Sequence, residues 1–152
     1  IMQDWIHNYL TPEELEQVKT EIEKIEQTTS GQIRLSVREK RSIWEKLYKP
    51  HELAVKDFEK LGIANTKHKT GVLIFMIFDE HYYDILADEG IDEKINGHIW
   101  LSIEEKIKDE FPKESYINGI LHIIDKVGEV LKQEFPHTAE DTDELPDEVV
   151  VR

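Results

Sequence analysis

Four carboxylates stand within six residues of the sequence, around a single glycine. They are Asp88, Glu89, Asp92 and Glu93, and the glycine is Gly90. Calcium and magnesium bind several oxygen ligands at close range, and a glycine lets the backbone bend so that carbonyl groups can join them. The spacing is not that of an EF-hand loop. The pattern predicts a divalent-cation site, although the same acids also suit a strand end followed by the first turn of a helix.

A second group of acids lies at the other end of the same predicted hairpin. Asp79 and Glu80 occupy its turn, and Glu39 ends an earlier predicted strand. Because open α/β sheets often bind ligands at the carboxyl edge of their parallel strands, these three acids are the second choice for a metal site. An ordinary polar hairpin turn is the simpler interpretation of the same residues.

No recognisable nucleophile accompanies these acids. The sequence contains neither a Gly-x-Ser-x-Gly elbow nor a phosphate-binding Gly-x-x-x-x-Gly-Lys loop. Its seven histidines form no His-x-x-x-His pair, and it contains no cysteine. The catalytic residues are therefore unknown at this point, and cysteine-based zinc binding and thiol chemistry are excluded.

The composition of the chain restricts its partners. The chain has 152 residues, 39 % of them hydrophobic and 34 % charged, with a formal net charge of −14. This length and apolar content suit a globular domain with a substantial core. A surface this negative repels phosphate backbones and anionic lipids, so nucleic acid and membranes are poor partners. Divalent cations and basic proteins are the partners it would attract.

A β-hairpin is predicted to position both acidic groups. The eight residues Gly71–Phe78 carry no charged or polar side chain, as is typical of a strand buried on both faces. Tyr83–Asp88 alternates with a period of two, which predicts a second, partly exposed strand. Gln32–Arg38 alternates in the same way, with Arg34 on the side predicted to face solvent.

Helices are predicted before, between and after these strands. Thr11 and Glu14 form a capping box, and Pro50 opens a second helix. Apolar stripes predict two further helices, of which one ends at Pro112 and the other covers Ser115–Phe135. A strand–helix–strand order implies two parallel strands joined by a right-handed crossover, and the hairpin adds an antiparallel partner. The predicted fold class is α/β, an αβα sandwich with a small mixed sheet.

The composition changes after this domain, which is predicted to cover residues 1–135. Residues 136–152 contain six acids and one base, which indicates a solvated acidic tail. Residues 149–151 are three valines and are predicted to add an edge strand if any part of the tail does.

Among the large aromatic residues, Trp44 lies in a charged connection and is a candidate partner anchor. Trp100 lies on an apolar helix face and is predicted to be core.

An ordered set of short motifs along the chain resembles the TPM domain. The set covers residues 10–148 and comprises Thr29-Ser30-Gly31-Gln32-Ile33-Arg34, Gly71-Val72-Leu73, Ile85-Leu86-Ala87-Asp88-Glu89-Gly90-Ile91-Asp92-Glu93-Lys94, Phe111, Tyr116, Gly119-Ile120, Gly128, Phe135-Pro136 and Glu144-Leu145-Pro146-Asp147-Glu148. Members of this family occur in the thylakoid lumen, in photosystem repair and as receptor modulators, usually with a membrane anchor. The resemblance implies an αβα sandwich, binding of calcium or magnesium, and an acid phosphatase activity known for some members.

The sequence departs from the family pattern in two ways. Many members carry Asp-Asn directly before the glycine of the buried strand, whereas Lys69-Thr70 stand here, so one metal ligand of the family is absent. The usual signal and anchor are also missing, which leads us to expect a soluble, cytoplasmic protein.

Two classes of function remain open. One is a metal-dependent phosphatase, in which the metal polarises a phosphoryl oxygen of a phosphorylated small molecule. The other is a non-enzymatic, metal-stabilised module that binds a protein, which the lack of an obvious nucleophile favours slightly.

Overall fold

A single open sheet of four strands lies between two layers of helices in the part of the chain that the structure describes. The structure is a computed structural model and describes residues 4–110, 115–138, 145 and 149–152. The predicted stop at Pro112 and most of the predicted acidic tail lie outside these residues. The mixed α/β fold agrees with the class predicted from the sequence.

The strands are β1 (Gln32–Arg38), β2 (Gly71–Ile77), β3 (Tyr82–Ala87) and β4 (Val149–Val151), in the order β3-β2-β1-β4. β1 is parallel to β2 and β4, whereas β2 and β3 form the predicted antiparallel hairpin. Both β1 and β2 are buried at every position. Burial of β2 confirms the prediction from its apolar run. Burial of β1 differs from its alternating pattern, because helices cover both of its faces.

The helices are α1 (Pro12–Glu26), α2 (Pro50–Lys60), α3 (Glu89–Asp92), α4 (Gly97–Glu110) and α5 (Tyr116–Glu134), and short 3-10 helices cover Asp4–Asn8 and Glu45–Leu47. The predicted capping box is present: the Thr11 hydroxyl accepts from the Glu14 backbone N–H at 3.1 Å, and the Glu14 carboxylate accepts from the Thr11 N–H at 2.8 Å. Ser115 caps α5 in a similar way.

Two hydrophobic clusters lie on opposite faces of the sheet. The larger one joins α1, α4 and α5 to the sheet, and it includes Trp100, as predicted. The smaller one lies under α2. Gly128 of α5 lies where a Cβ would come within 2.9 Å of the Ile25 side chain, so this glycine lets α1 and α5 pack closely.

Part of the predicted tail packs against the sheet. β4 pairs with β1, as the three valines suggested. Leu145, which we expected to be solvated, is only 5 % exposed and belongs to the cluster under α2. Its N–H donates to the Gln32 side chain at 2.9 Å, and its carbonyl accepts from the Arg34 guanidinium at 2.5 Å. Arg34 is 1 % exposed, so the prediction that it faces solvent is wrong.

Candidate functional site

Asp88 joins β3 to α3 and is the best-defined polar group of the predicted metal cluster. Its N–H donates to the Gly71 carbonyl at 2.9 Å, and its Oδ1 accepts from the Glu89 N–H at 2.8 Å as the cap of α3. Its Oδ2 is buried and has no hydrogen-bond partner among the residues that the structure describes. A buried carboxylate oxygen without a partner is costly, so this atom marks a place where a ligand would be stabilising.

The structure brings two of the four predicted acids together. Asp92 follows Asp88 by one helical turn, and its pKa is raised by burial and by the charge of Asp88. Glu89, Asp92 and Glu93 are all exposed, and Glu89 and Glu93 lie one turn apart on a face about 100° further round the helix, because each residue turns the helix by that angle. Within the described ranges, no three or more acidic, histidine or cysteine side chains converge as a metal-binding group.

The loop before β2 packs directly against α3. A Cβ at Gly90 would collide with the backbone carbonyl oxygens of His68 and Lys69, so only glycine permits this approach. Lys69 has a positive φ of 57°, and its ammonium donates to the Ala64 carbonyl at 3.1 Å. The positions where many family members carry Asp-Asn therefore lie beside the predicted cation site.

Two of the three second-choice acids already accept hydrogen bonds through their carboxylates, and the third, Asp79, is held through its backbone. Glu39 accepts from the Tyr9 hydroxyl at 2.7 Å, and this hydrogen bond, together with burial, raises the pKa of Tyr9 to about 12. Glu80 accepts from Arg41 at 2.7 and 2.9 Å. The Asp79 N–H donates to the Glu39 carbonyl at 2.7 Å, which closes the hairpin against β1. These contacts favour a structural role for this end of the sheet.

Sequence reasoning missed a polar cluster on β3. Asp84 Oδ2 accepts from the Tyr82 hydroxyl at 2.8 Å and lies 2.7 Å from His51 Nδ1. Glu104 of α4 accepts from the Ile85 N–H at 2.7 Å, at the free edge of the sheet. The residues come from three distant segments of the chain, so no local spacing predicted their meeting.

A pocket of about 540 Å³ lies beside this cluster, between α2, the free edge of β3, and α4. The lining residues that define its chemistry are Phe58, Glu59, Leu86, Asp92, Trp100 and Glu104. Trp100 is 4 % exposed, and its indole Nε1 has no hydrogen-bond partner in the described part of the chain.

The connection between β1 and α2 exposes a group of large apolar side chains. We call residues 40–49 the Trp44 loop. Ile43, Trp44 and Leu47 are 82 %, 77 % and 75 % exposed, respectively. Such an exposed apolar group is typical of an interaction surface rather than of a solvated loop.

The Trp44 loop is held in place by several hydrogen bonds. Ser42 and Glu45 exchange two hydrogen bonds. The Ser42 N–H donates to the Glu45 carboxylate at 3.0 Å, and the Glu45 N–H donates to the Ser42 hydroxyl at 3.2 Å. Glu45 also accepts from Arg38 at 3.0 Å, and Arg41, which binds Glu80, donates to the Tyr48 carbonyl at 2.8 Å. The exposed apolar groups are therefore presented by an ordered segment.

Comparison with known proteins identifies the class to which this sandwich belongs. A family model described as the TPM domain matches residues 6–130, and the chain belongs to that family. Among solved structures, the chain is similar to the NMR structure of the BA42 protein from the psychrophilic bacterium Bizionia argentinensis, with 28 % sequence identity and a TM-score of 0.82. The likeness covers 95 % of this chain and 96 % of that one. A search of curated proteins found no match.

No helix in the ranges that the structure describes combines the length and the apolar content that crossing a bilayer requires.

Proposed function

We propose that this TPM domain binds a divalent cation, calcium or magnesium, through Asp88 and Asp92 at the start of α3. The observation that carries the proposal is the buried Asp88 Oδ2, which has no hydrogen-bond partner among the described residues. A cation would give this oxygen a partner and would offset the effects of burial and of the Asp88 charge, which raise the pKa of Asp92.

Two carboxylates suit a cation that keeps part of its water shell. Magnesium is commonly held by one or two carboxylates with water completing its octahedron, and calcium also accepts backbone carbonyls. The carbonyl groups of His68 and Lys69 pack against Gly90, two residues from both acids, and are the candidate backbone ligands. Glu89 and Glu93 lie on the neighbouring face of the helix and would contribute negative potential rather than direct ligands.

Isothermal titration calorimetry of chelator-treated protein tests this proposal. Calcium or magnesium should bind the wild-type protein, and Asp88→Asn should abolish the heat of binding because it removes the orphaned carboxylate. The double variant Asp79→Asn with Glu80→Gln removes two acids at the other end of the hairpin and should bind as the wild type does. Equal loss in both variants would indicate that net charge, rather than a site, attracts the cation.

The acid phosphatase activity implied by the family remains a prediction. When bound, the cation would polarise a phosphoryl oxygen of a phosphorylated small molecule. Hydrolysis of p-nitrophenyl phosphate at acidic pH, measured with chelator and with added calcium or magnesium, tests this activity. Metal-dependent turnover that Asp88→Asn abolishes would support the phosphatase, whereas cation binding without turnover would favour a non-enzymatic role.

A second candidate function is protein binding through the Trp44 loop. Three large apolar side chains at least 75 % exposed on a hydrogen-bonded loop support it. Lys40, Lys46 and Lys49 are also exposed on this loop, in a chain with a net charge of −14. We therefore infer a partner protein with an apolar groove and an acidic rim.

Site-specific crosslinking tests this second function. A photo-reactive amino acid at position 44 should capture the partner, whereas the same group at the exposed Glu105 should not. The captured protein, once purified, should bind Trp44→Ala about tenfold or more weakly than the wild-type domain, as expected for loss of an aromatic anchor. Unchanged affinity would exclude the Trp44 loop as the binding surface.

A further inference from the structure

We propose that the pocket between α2, β3 and α4 binds a small organic cation that carries an apolar body and an oxygen acceptor. This inference goes beyond the proposed cation site at Asp88: the two share Asp92, but the pocket depends on Phe58, Trp100 and Glu104, which have no part in that site. The pocket volume of about 540 Å³ is within the range of small-molecule sites.

The pocket exists because β3 is an edge strand. The Ile85 N–H is directed away from β2 and is bonded instead by Glu104, which α4 brings across the edge. α2 and α4 lie on opposite faces of the sheet, so the space beside the edge is closed above and below by helices but remains open on its outer side. The walls of this space are therefore set by three regular elements rather than by loops.

The charge of the lining defines the ligand as a cation. Glu59, Asp92 and Glu104 contribute carboxyl groups, and none of the described lining residues is basic. Glu104 is fixed by its hydrogen bond from the backbone, so above its pKa of about 7 it offers its charge at a defined position. Phe58 and Leu86 supply an apolar surface beside these acids, which suits a cation with a hydrocarbon or aromatic body.

Trp100 gives an independent indication of a ligand. Its side chain lines the pocket, it is 4 % exposed, and its indole Nε1–H has no acceptor in the described part of the chain. Leaving a buried donor unpaired is unfavourable, and an oxygen of the ligand would accept this hydrogen bond. A bare metal ion has no lone pair to offer this donor, so the geometry favours an organic cation with a hydroxyl or carbonyl group.

Two-dimensional NMR of ¹⁵N-labelled protein tests the inference through Trp100 itself. The three tryptophans give three indole N–H signals, and two of them serve as internal controls. Trp5 Nε1 donates to the Arg152 carbonyl at 2.8 Å, and Trp44 is exposed. The probe is 2-amino-1-phenylethanol, which combines an ammonium, a hydroxyl and an aromatic ring, titrated in the presence of chelator at pH 8, where Glu104 is charged. We expect a saturable shift of the Trp100 signal alone.

Three matched compounds separate the parts of the inference. 1-Phenyl-1,2-ethanediol replaces the ammonium by a hydroxyl and should bind about tenfold or more weakly, because the charged contact is lost. Mandelate carries a carboxylate instead and should not bind. Phenethylamine lacks the hydroxyl and should bind about threefold or more weakly, as for one lost hydrogen bond. If 1-phenyl-1,2-ethanediol binds as tightly as 2-amino-1-phenylethanol, the assignment of a cation is overturned.

Variants of the pocket complete the test. Glu104→Gln keeps the shape and the acceptor oxygen but removes the charge, and it should weaken binding about tenfold. Glu105→Gln, on the exposed side of α4, is the matched control and should bind as the wild type does. If Glu104→Gln does not fold, Glu59→Gln, at an exposed position of the pocket rim, should also weaken binding. Unchanged affinity in the folded pocket variants, or a Trp100 signal that does not move, would overturn the proposal.

Discussion

Asp84 and Glu104 interact across the contact between β3 and α4. Burial raises the pKa of Glu104, the charge and hydrogen bonding of Asp84 raise it further, and the Ile85 N–H offsets these effects only in part, so that the pKa reaches about 7. The folded protein therefore keeps a proton on Glu104 under conditions where an isolated glutamate has lost it.

The free energy of unfolding should fall as the pH rises from about 5 to about 7. Because the pKa of Glu104 is higher in the folded protein than in the unfolded chain, its contribution is fully present below the ordinary value of 4.5 and is lost as the pH passes through about 7. Glu104 is only half-buried, so solvent screening leaves a contribution on the order of 1–2 kcal/mol. Urea unfolding at a series of pH values measures this slope.

Glu104→Gln should flatten the pH dependence of the free energy of unfolding, since it removes the titrating group. Asp125 adds a second contribution of the same sign, because burial and a hydrogen bond with Glu21 raise its pKa to about 7. Asp125 is exposed, so solvent screens its contribution, and Asp125→Asn should remove a smaller part of the slope than Glu104→Gln does. A slope that neither substitution changes would show that general charge repulsion, and not these two carboxyl groups, causes it.

The buried ion pair of Arg38 and Asp57 should be costly to break. Arg38 donates to both Asp57 oxygens, at 2.8 and 3.1 Å, and Ser36 donates to Asp57 at 2.7 Å. Burial alone would raise the pKa of Asp57, but these hydrogen bonds outweigh it and lower the pKa. Asp57→Asn would leave the guanidinium incompletely neutralised and should lower the free energy of unfolding by about 3–5 kcal/mol in urea unfolding at neutral pH.

The matched control is Glu80→Gln, which breaks the more exposed pair with Arg41. Its expected cost is about 1 kcal/mol or less, because solvent screens the pair. A similar loss in the free energy of unfolding for the two substitutions would mean that Asp57 is less buried than the structure shows.

Gly90→Ala should separate α3 from the loop before β2. The added methyl group would overlap the carbonyl oxygens of His68 and Lys69, which are backbone atoms and cannot move aside cheaply. We expect a loss of about 1–3 kcal/mol in the free energy of unfolding, together with weaker cation binding. Gly97→Ala is the control, because a Cβ there meets nothing within 4 Å, and its effect should be neutral or slightly stabilising. Equal effects would contradict the close approach at Gly90.

Leu145→Ala should destabilise the protein although it lies in a strongly acidic segment. The side chain is 5 % exposed and packs with Leu53 and Phe75 in the cluster under α2. Removing it should lower the free energy of unfolding by about 2–3 kcal/mol, as measured by urea unfolding. A change near zero would support the original expectation of a solvated tail.

The strands could be predicted because their signal is local. The apolar run of β2 and the period of two in β3 depend only on neighbouring residues, and both elements appear within one residue of the predicted limits. Burial of Arg34 and Leu145 could not be predicted, because the hydrogen bonds that join Leu145 to Arg34 and Gln32 connect residues more than a hundred positions apart. Leu145 stands alone among acids, so it has no periodicity to reveal its packing.

The candidate site was predictable only in part, for the same physical reason. The sequence places four acids around Gly90, but the helical turn of α3 decides that Asp88 and Asp92 share one face while Glu89 and Glu93 share the next. The pocket and the Asp84 cluster depend on how α2 and α4 pack at the edge of β3. That packing is a tertiary relationship without a sequence motif.

The most direct test of the proposed function is the melting temperature of chelator-treated protein with and without calcium or magnesium. A cation that binds only the folded state should stabilise the wild-type protein by about 2.7 kcal/mol at a hundredfold excess over the dissociation constant. Asp88→Asn should remove this gain, and Asp79→Asn with Glu80→Gln should retain it. If Asp79→Asn with Glu80→Gln loses this gain and Asp88→Asn retains it, the site lies at the other end of the hairpin. No gain in the wild-type protein would contradict cation binding altogether.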